Sequence, residues 1–193
     1  MIHVGILGST RGSSMLPIMD AIRQKRLFAQ IDIVISNKQD AVILQNAAKH
    51  QLPTQFIDPK NLTREEYDQL VSDTLHQHHV ELVVLIGYMR ILSDKFVSEW
   101  KNKIINVHPS LLPAFAGGMD LDVHRAVLAS GVKESGCTVH IVTKEVDAGP
   151  IVIQKKCPVL ADDTPETLKA RVQALEGEAL VDGIMFCSSS NFE

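Results

Sequence analysis

The chain has 193 residues, 45% of them hydrophobic and 22% charged, with a formal net charge of −4. That composition suits a single globular domain over residues 1–193 with a real core, and it excludes disorder. Three dispersed cysteines, Cys137, Cys157 and Cys187, exclude a disulfide scaffold and a Cys-rich zinc site and fit a reducing, cytoplasmic setting. No basic stripe marks a nucleic-acid binder. No apolar run is long enough to span a membrane, and the first residues lack the basic start of a signal peptide.

In chain order, Ile2–Leu7 is an apolar, β-branched run ending at Gly8, which predicts a buried parallel strand. The loop Gly8-Ser-Thr-Arg-Gly-Ser-Ser14 leads into a helix through Met15, Ile18, Met19 and Ile22. A strand over Ile31–Ser36 and a helix over Asp40–His50 follow, then a short strand at Thr54–Ile57 after Pro53. Thr63 with Glu66 three residues on has capping-box spacing and opens a helix running to about His78. Val80–Ile86 is the most apolar strand, and a helix over Ser93–Trp100 follows. After a strand at Ile104–Val107 comes the Pro-rich loop His108–Pro113 and a helix over Leu121–Ser130. Strands at Gly136–Thr143 and Ile151–Val159 flank a turn at Lys144–Pro150. Thr164-Pro165 starts a last helix that runs to about Phe186, with a polar tail over Ser188–Glu193. Strands alternating with helices predict an α/β fold, Rossmann-like and open, with a mostly parallel sheet, mixed at one edge, and helices on both faces.

Three stretches carry chemistry. Gly12-Ser13-Ser14, between a strand and a helix, presents backbone N–H groups and a helix dipole to an anion. It matches neither the dinucleotide fingerprint nor the P-loop, and a plain tight turn explains it equally well. Asn106 and His108 stand two apart at the end of a strand, on one side, where open α/β sheets bind ligands. An amide and an imidazole there can polarise a carbonyl and hold its oxyanion. Asp147, in Val146-Asp-Ala-Gly-Pro150, sits in a common turn pattern; beside His108 its carboxylate is expected to raise the imidazole pKa. His3, His50, His76, His78 and His79 read as surface or structural.

Several segments together resemble the folate-dependent formyltransferases. They are the glycine-serine loop, Ile35-Ser-Asn-Lys38, Gly87-Tyr-Met-Arg-Ile-Leu92, Asn106-Val-His-Pro-Ser-Leu-Leu-Pro113, Gly136-Cys-Thr-Val-His140 and Val146–Pro150. The resemblance covers nearly the whole chain and is closest to the branch that formylates glycinamide ribonucleotide in purine synthesis. It implies 10-formyltetrahydrofolate as co-substrate and no metal. It assigns catalysis to Asn106, His108 and Asp147. It assigns the ribonucleotide and its phosphate to Gly12, Ser13, Ser14, Pro109, Gln173 and Glu176. It assigns the folate to Arg64, Met89, Arg90, Ile91, Leu92, Val142 and Thr143.

The implied partners are small molecules, with neither nucleic acid nor membrane, and the chain is expected to be a monomer or homodimer. Another amine acceptor, a formyltetrahydrofolate hydrolase and a non-catalytic binding module are the competing expectations. The sequence departs from the family pattern at three places. Residues 114–124 form a longer stretch in which only His124 remains of a His-x-His pair. Ser14 stands where asparagine is usual. A terminal strand found in many relatives is missing after Phe186.

Overall fold

The structure, a computed structural model, describes residues 1–189. Its elements are β1 (Ile2–Gly8), α1 (Met15–Arg23), β2 (Ala29–Ser36), α2 (Val42–Lys49), β3 (Thr54–Phe56), α3 (Arg64–Gln77), β4 (Leu82–Ile86), α4 (Asp94–Glu99), β5 (Ile104–His108), α5 (Leu121–Ser130), β6 (Glu134–Ile141), β7 (Ile151–Pro158) and α6 (Pro165–Ser189). The seven strands form one sheet in the order β3-β2-β1-β4-β5-β6-β7. β1 to β5 run parallel; β6 pairs antiparallel with β5 and β7 antiparallel with β6, so the mixed edge is where two strands lack a helix between them.

The central strand β4 is buried along its whole length, which is why Leu-Val-Val-Leu-Ile shows no alternation. Each sheet face carries its own core. Met15, Ile18, Ile43, Val127, Leu180 and Ile184 from α1, α2, α5 and α6 cover one face. Tyr67, Val71, Leu75, Phe96 and Trp100 from α3, α4 and the end of α4 cover the other. The capping box expected at Thr63 is formed: its hydroxyl accepts from the Glu66 N–H, and the Glu66 side chain accepts from the Thr63 N–H. The Thr164 hydroxyl accepts from the Thr167 N–H at 3.3 Å and caps the start of α6.

Boundaries shift where tertiary pairing overrides local pattern. β6 starts and ends two residues earlier than its apolar run suggests, because Glu134 pairs with Pro158, the last residue of β7. Val142 and Thr143 therefore lie beyond the strand, in the loop that follows. β4 begins at Leu82 rather than Val80, and β2 begins at Ala29 because Ala29 pairs with Ile2. α6 continues through Ser188 and Ser189, which were expected in the tail. The rest of that tail, 190–193, lies outside the described residues.

The chain reverses its winding between β1 and β4, and this is the crevice where open α/β sheets hold ligands. The loops after β1, β4 and β5 all open there. α6 packs against α1, α5 and the strands β5 to β7. Gly177 lets it do so, since a Cβ at that position would lie 2.3 Å from the ring of Pro17 in α1.

Candidate active site

The glycine loop leaves β1 through Gly12, whose φ of +65° is accessible to glycine at little cost. The space is also filled, as a Cβ there would meet Ile43 at 2.3 Å. Ser14 occupies the N-cap of α1 but makes no capping hydrogen bond. Its hydroxyl instead donates to Glu176 Oε2 of α6 at 3.1 Å. The first two N–H groups of α1 turn back to the carbonyls of Gly12 (from Met15, 3.0 Å) and Ser13 (from Leu16, 3.4 Å), with no side chain capping the helix start, where the helix dipole favours an anion. Ser13 and Gln173 are exposed, and Glu176 is half-buried. Burial pushes the Glu176 carboxyl above its ordinary pKa, against the opposing effects of the Ser14 hydroxyl and the Lys169 ammonium.

β4 ends in the segment that carries Met89 to Leu92. Ser9 ties this segment to β1: its hydroxyl donates to Asn37 Oδ1 at 2.6 Å and accepts from the Met89 N–H at 2.9 Å. This explains why Asn37 of the Ser-Asn-Lys motif sits so near. Met89 and Ile91 project to the surface, whereas Leu92 joins the core of the second sheet face, against which Val142 also packs. The Arg90 guanidinium lies 4.2 Å over the Tyr67 ring, a cation–π contact. Arg64 is exposed at the first turn of α3. Thr143 donates to the Glu145 carbonyl at 3.1 Å within the loop after β6.

The densest polar cluster lies at the end of β5. Register pairs Asn106 with His140 and His108 with Thr138 across β5 and β6. The Asn106 amide nitrogen is 3.2 Å from His140 Nε2. The loop after β6 returns Asp147 to the same place, with φ of +54°. Its Oδ2 is 3.2 Å from His108 Nδ1, and its Oδ1 is 3.6 Å from His140 Nε2. His140 Nδ1 faces the Ile141 carbonyl at 3.1 Å; a carbonyl only accepts, so that nitrogen carries a proton. His140 Nε2 faces both the Asn106 amide nitrogen and the Asp147 carboxylate. The family resemblance groups Asn106, His108 and Asp147; the structure places Asp147 against His108 and adds His140 between Asp147 and Asn106. Only the antiparallel register of β6 on β5 reveals it.

The 114–120 stretch folds over this cluster by its backbone. The Phe115 carbonyl lies 3.1 Å from His108 Nε2, and the Gly117 N–H donates to Asp147 Oδ2 at 2.8 Å. Backbone contacts carry no side-chain signature, so the sequence did not show them. Below them, the Ser110 hydroxyl donates to the Ala114 carbonyl, and Thr138 donates to the Ser110 carbonyl while accepting from the Leu112 N–H. Pro109 is half-buried beside His108.

The electrostatics correct one expectation. His108 is 4% exposed, and burial pushes its pKa below the ordinary histidine value. The Asp147 carboxylate and the Phe115 carbonyl pull it upward, as expected of Asp147, but do not overcome burial and the nearby His140. Asp147 behaves oppositely. Burial alone would raise its pKa, yet the hydrogen bonds from His140 and the Gly117 N–H, with both imidazoles, hold it below the usual carboxylate value. The free site therefore pairs an ionised carboxylate with an imidazole that resists protonation. Both His108 nitrogens face oxygen acceptors, so a second negative charge at Nε2 would favour the imidazolium.

The sequence pattern of the formyl transferase family matches residues 2–184. The chain belongs to the formyl transferase family. It is 38% identical over 179 residues to the phosphoribosylglycinamide formyltransferase of Escherichia coli (strain K12), covering 90% of this chain and 81% of that protein. It is 41% identical over 189 residues to the chicken (Gallus gallus) trifunctional purine biosynthetic protein adenosine-3, covering 97% of this chain but 18% of that protein. The chain thus spans about a fifth of that multifunctional relative. Among solved structures, glycinamide ribonucleotide transformylase 1 from Symbiobacterium toebii superposes with a TM-score of 0.92 at 38% identity, covering 98% of this chain and 89% of that one. The α/β architecture with its mixed sheet edge is that of these transformylases.

Among the described residues no helix is long and apolar enough to cross a membrane. No group of three or more His, Cys, Asp or Glu side chains among them is placed to hold a metal ion. The three cysteines are buried and free. Burial raises the thiol pKa of Cys137 to about 12 and of Cys187 to about 11, so these side chains pack as small hydrophobes.

Proposed function

We propose that this formyl transferase family member moves a formyl group from 10-formyltetrahydrofolate to the primary amine of glycinamide ribonucleotide, as a cytoplasmic enzyme of purine synthesis acting on small molecules. The observation that carries the reading is the Asn106–His140–Asp147–His108 cluster at the sheet's ligand-binding end. β5 neighbours β4, whose end carries Met89–Leu92, and β4 in turn neighbours β1, whose loop leads into α1.

The two substrates would meet over His108. The ribonucleotide phosphate takes the N–H groups at Gly12, Ser13 and Ser14. Its remainder lies along Pro109, Gln173 and Glu176. The folate lies along Met89, Arg90, Ile91, Leu92, Val142 and Thr143, with Arg64 near the carboxylates of its tail. Binding both reactants through these remote groups holds the amine against the formyl carbon.

As the neutral amine attacks, the formyl oxygen gains negative charge. His108 Nε2 exchanges the Phe115 carbonyl for that oxygen, and the second amide N–H of Asn106 donates to it. Asp147 on the Nδ1 side then matches a proton at each ring nitrogen. Burial that disfavours the imidazolium in the free site is offset when the oxyanion forms, so the stabilisation is larger in the transition state than before it. The proton lost by the amine passes by water, oriented by Asp147, to the leaving folate nitrogen.

The test is incubation with 10-formyltetrahydrofolate and a panel of amine acceptors, following deformylated folate by absorbance. Folate release that requires glycinamide ribonucleotide is the expected result. Release without any acceptor would make the chain a hydrolase, release with a different amine would change the acceptor, and no release at all would make it a binding module.

A further inference from the structure

Lys169 meets the candidate site only through its charge, which acts on Glu176. It lies on α6 at spacings of four and seven residues from Gln173 and Glu176, so the three share one helix face. Lys169 donates to Asp120, the residue before α5. Asp120 is a solvent-facing carboxylate, its side chain 60% exposed, on a backbone with φ of +50°. The Lys169 side chain is 29% exposed, so its ammonium is half-buried while its present acceptor stands in water, where screening weakens the pair and leaves it exchangeable for another anionic acceptor.

A second observation places unsatisfied polar groups at the same seam. His124, one turn into α5, is fully buried, and neither ring nitrogen has a hydrogen-bond partner among the described residues. Leaving a buried donor and acceptor unmatched is costly, and such groups ask for a partner. Lys169, Asp120 and His108 are its electrostatic neighbours, and Lys169 also acts on Glu176. An incompletely satisfied polar seam therefore runs between α5 and α6, from the Ser14–Glu176 contact toward His108.

We propose that Lys169 is a further recognition residue for the sugar-phosphate acceptor, its ammonium leaving Asp120 to donate to a phosphate or hydroxyl oxygen of that acceptor. The inference rests on the reading that the acceptor lies along α6. An acceptor seated there would also bring polar atoms to the seam beneath which His124 lies. The rival role for Lys169 is purely structural: anchoring the 114–120 stretch through Asp120.

The two roles separate in a pair of variants assayed for steady-state formyl transfer. Lys169→Met is expected to raise the acceptor KM about tenfold or more, the loss of one charge-assisted hydrogen bond, with kcat and the folate KM within about twofold. Lys169→Arg is expected to recover part of the loss. Asp120→Asn breaks the anchor but frees the ammonium, so its acceptor KM is expected to stay level or fall. The inference is overturned if Lys169→Met leaves the acceptor KM unchanged, or if both variants raise it together. A wild-type chain inactive with glycinamide ribonucleotide would instead overturn the functional reading on which the inference stands.

Discussion

Replacing Asp147 by asparagine keeps the side chain's shape and removes one negative charge. Three groups feel the change: His108 Nδ1 at 3.2 Å, His140 Nε2 at 3.6 Å and the Gly117 N–H at 2.8 Å. The amide oxygen can still accept from Gly117, so the loop over the site keeps its tether. A hydrogen bond to an ionised group contributes about 1.5–3 kcal/mol and a neutral one about 1 kcal/mol, so the His108 contact loses about 1–2 kcal/mol. The longer His140 contact adds less than about 1 kcal/mol. A total near 2 kcal/mol corresponds to about a 30-fold fall in kcat.

The pH profile should move as well. Asp147 raises the His108 pKa, so its neutralisation lowers it further. A reaction carried by protonated His108 slows as pH rises through that pKa. The alkaline limb of kcat should therefore shift to lower pH in the variant. Initial rates of formyl transfer at saturating substrates over a range of pH read both quantities, with thermal unfolding as the control for folding. A kcat within threefold of wild type, or a slowed enzyme whose alkaline limb has not moved, would refute the Asp147–His108 coupling.

Asn106→Ala removes one of the two proposed oxyanion donors and should lower kcat by about 10²–10³-fold with little change in either KM, measured in the same assay; a variant with wild-type turnover would remove Asn106 from the reaction. Stability should also depend on pH near neutrality. Burial lowers the pKa of both His108 and His124, whereas the unfolded chain takes up these protons near pH 6.5. Their contribution is complete above that value and is lost as pH falls through it toward the folded-state values. The melting temperature should hold level down to about pH 7 and fall as pH drops through about 6.5, less steeply in His124→Phe; a wild-type curve flat through that range would contradict the neutral, buried state of these rings. Glu176 and Asp68, raised by burial, act in the opposite sense at lower pH, which is why the window stops there.

Local chemistry was legible along the chain because it depends on near neighbours. The Thr63–Glu66 capping box formed as read, since it needs only a hydroxyl and a carboxylate three residues apart. β4 was recognisable from five consecutive apolar residues, which only a doubly covered strand can bury. The side-by-side placement of Asn106 and His108 followed from strand periodicity. These regularities, with the motifs that resemble the formyltransferases, determined the fold class and the cluster that became the candidate site.

Tertiary structure decided what depends on groups far apart in sequence. His140 reaches the site because β6 pairs with β5 in one register, and a shift of one residue would turn it to the other face. The protonation of His108 is a balance between burial and the charges around it, and burial is a property of the whole packed molecule; the pairing with Asp147, taken alone, pointed the wrong way. The Phe115 carbonyl and the Gly117 N–H act through backbone atoms that every residue possesses, so no side chain announces them. Lys169 and His124 come from different helices, and only the packing of α5 on α6 brings them to one seam. Sequence thus determined which chemical groups are available, and the sheet register and helix packing determined which of them meet.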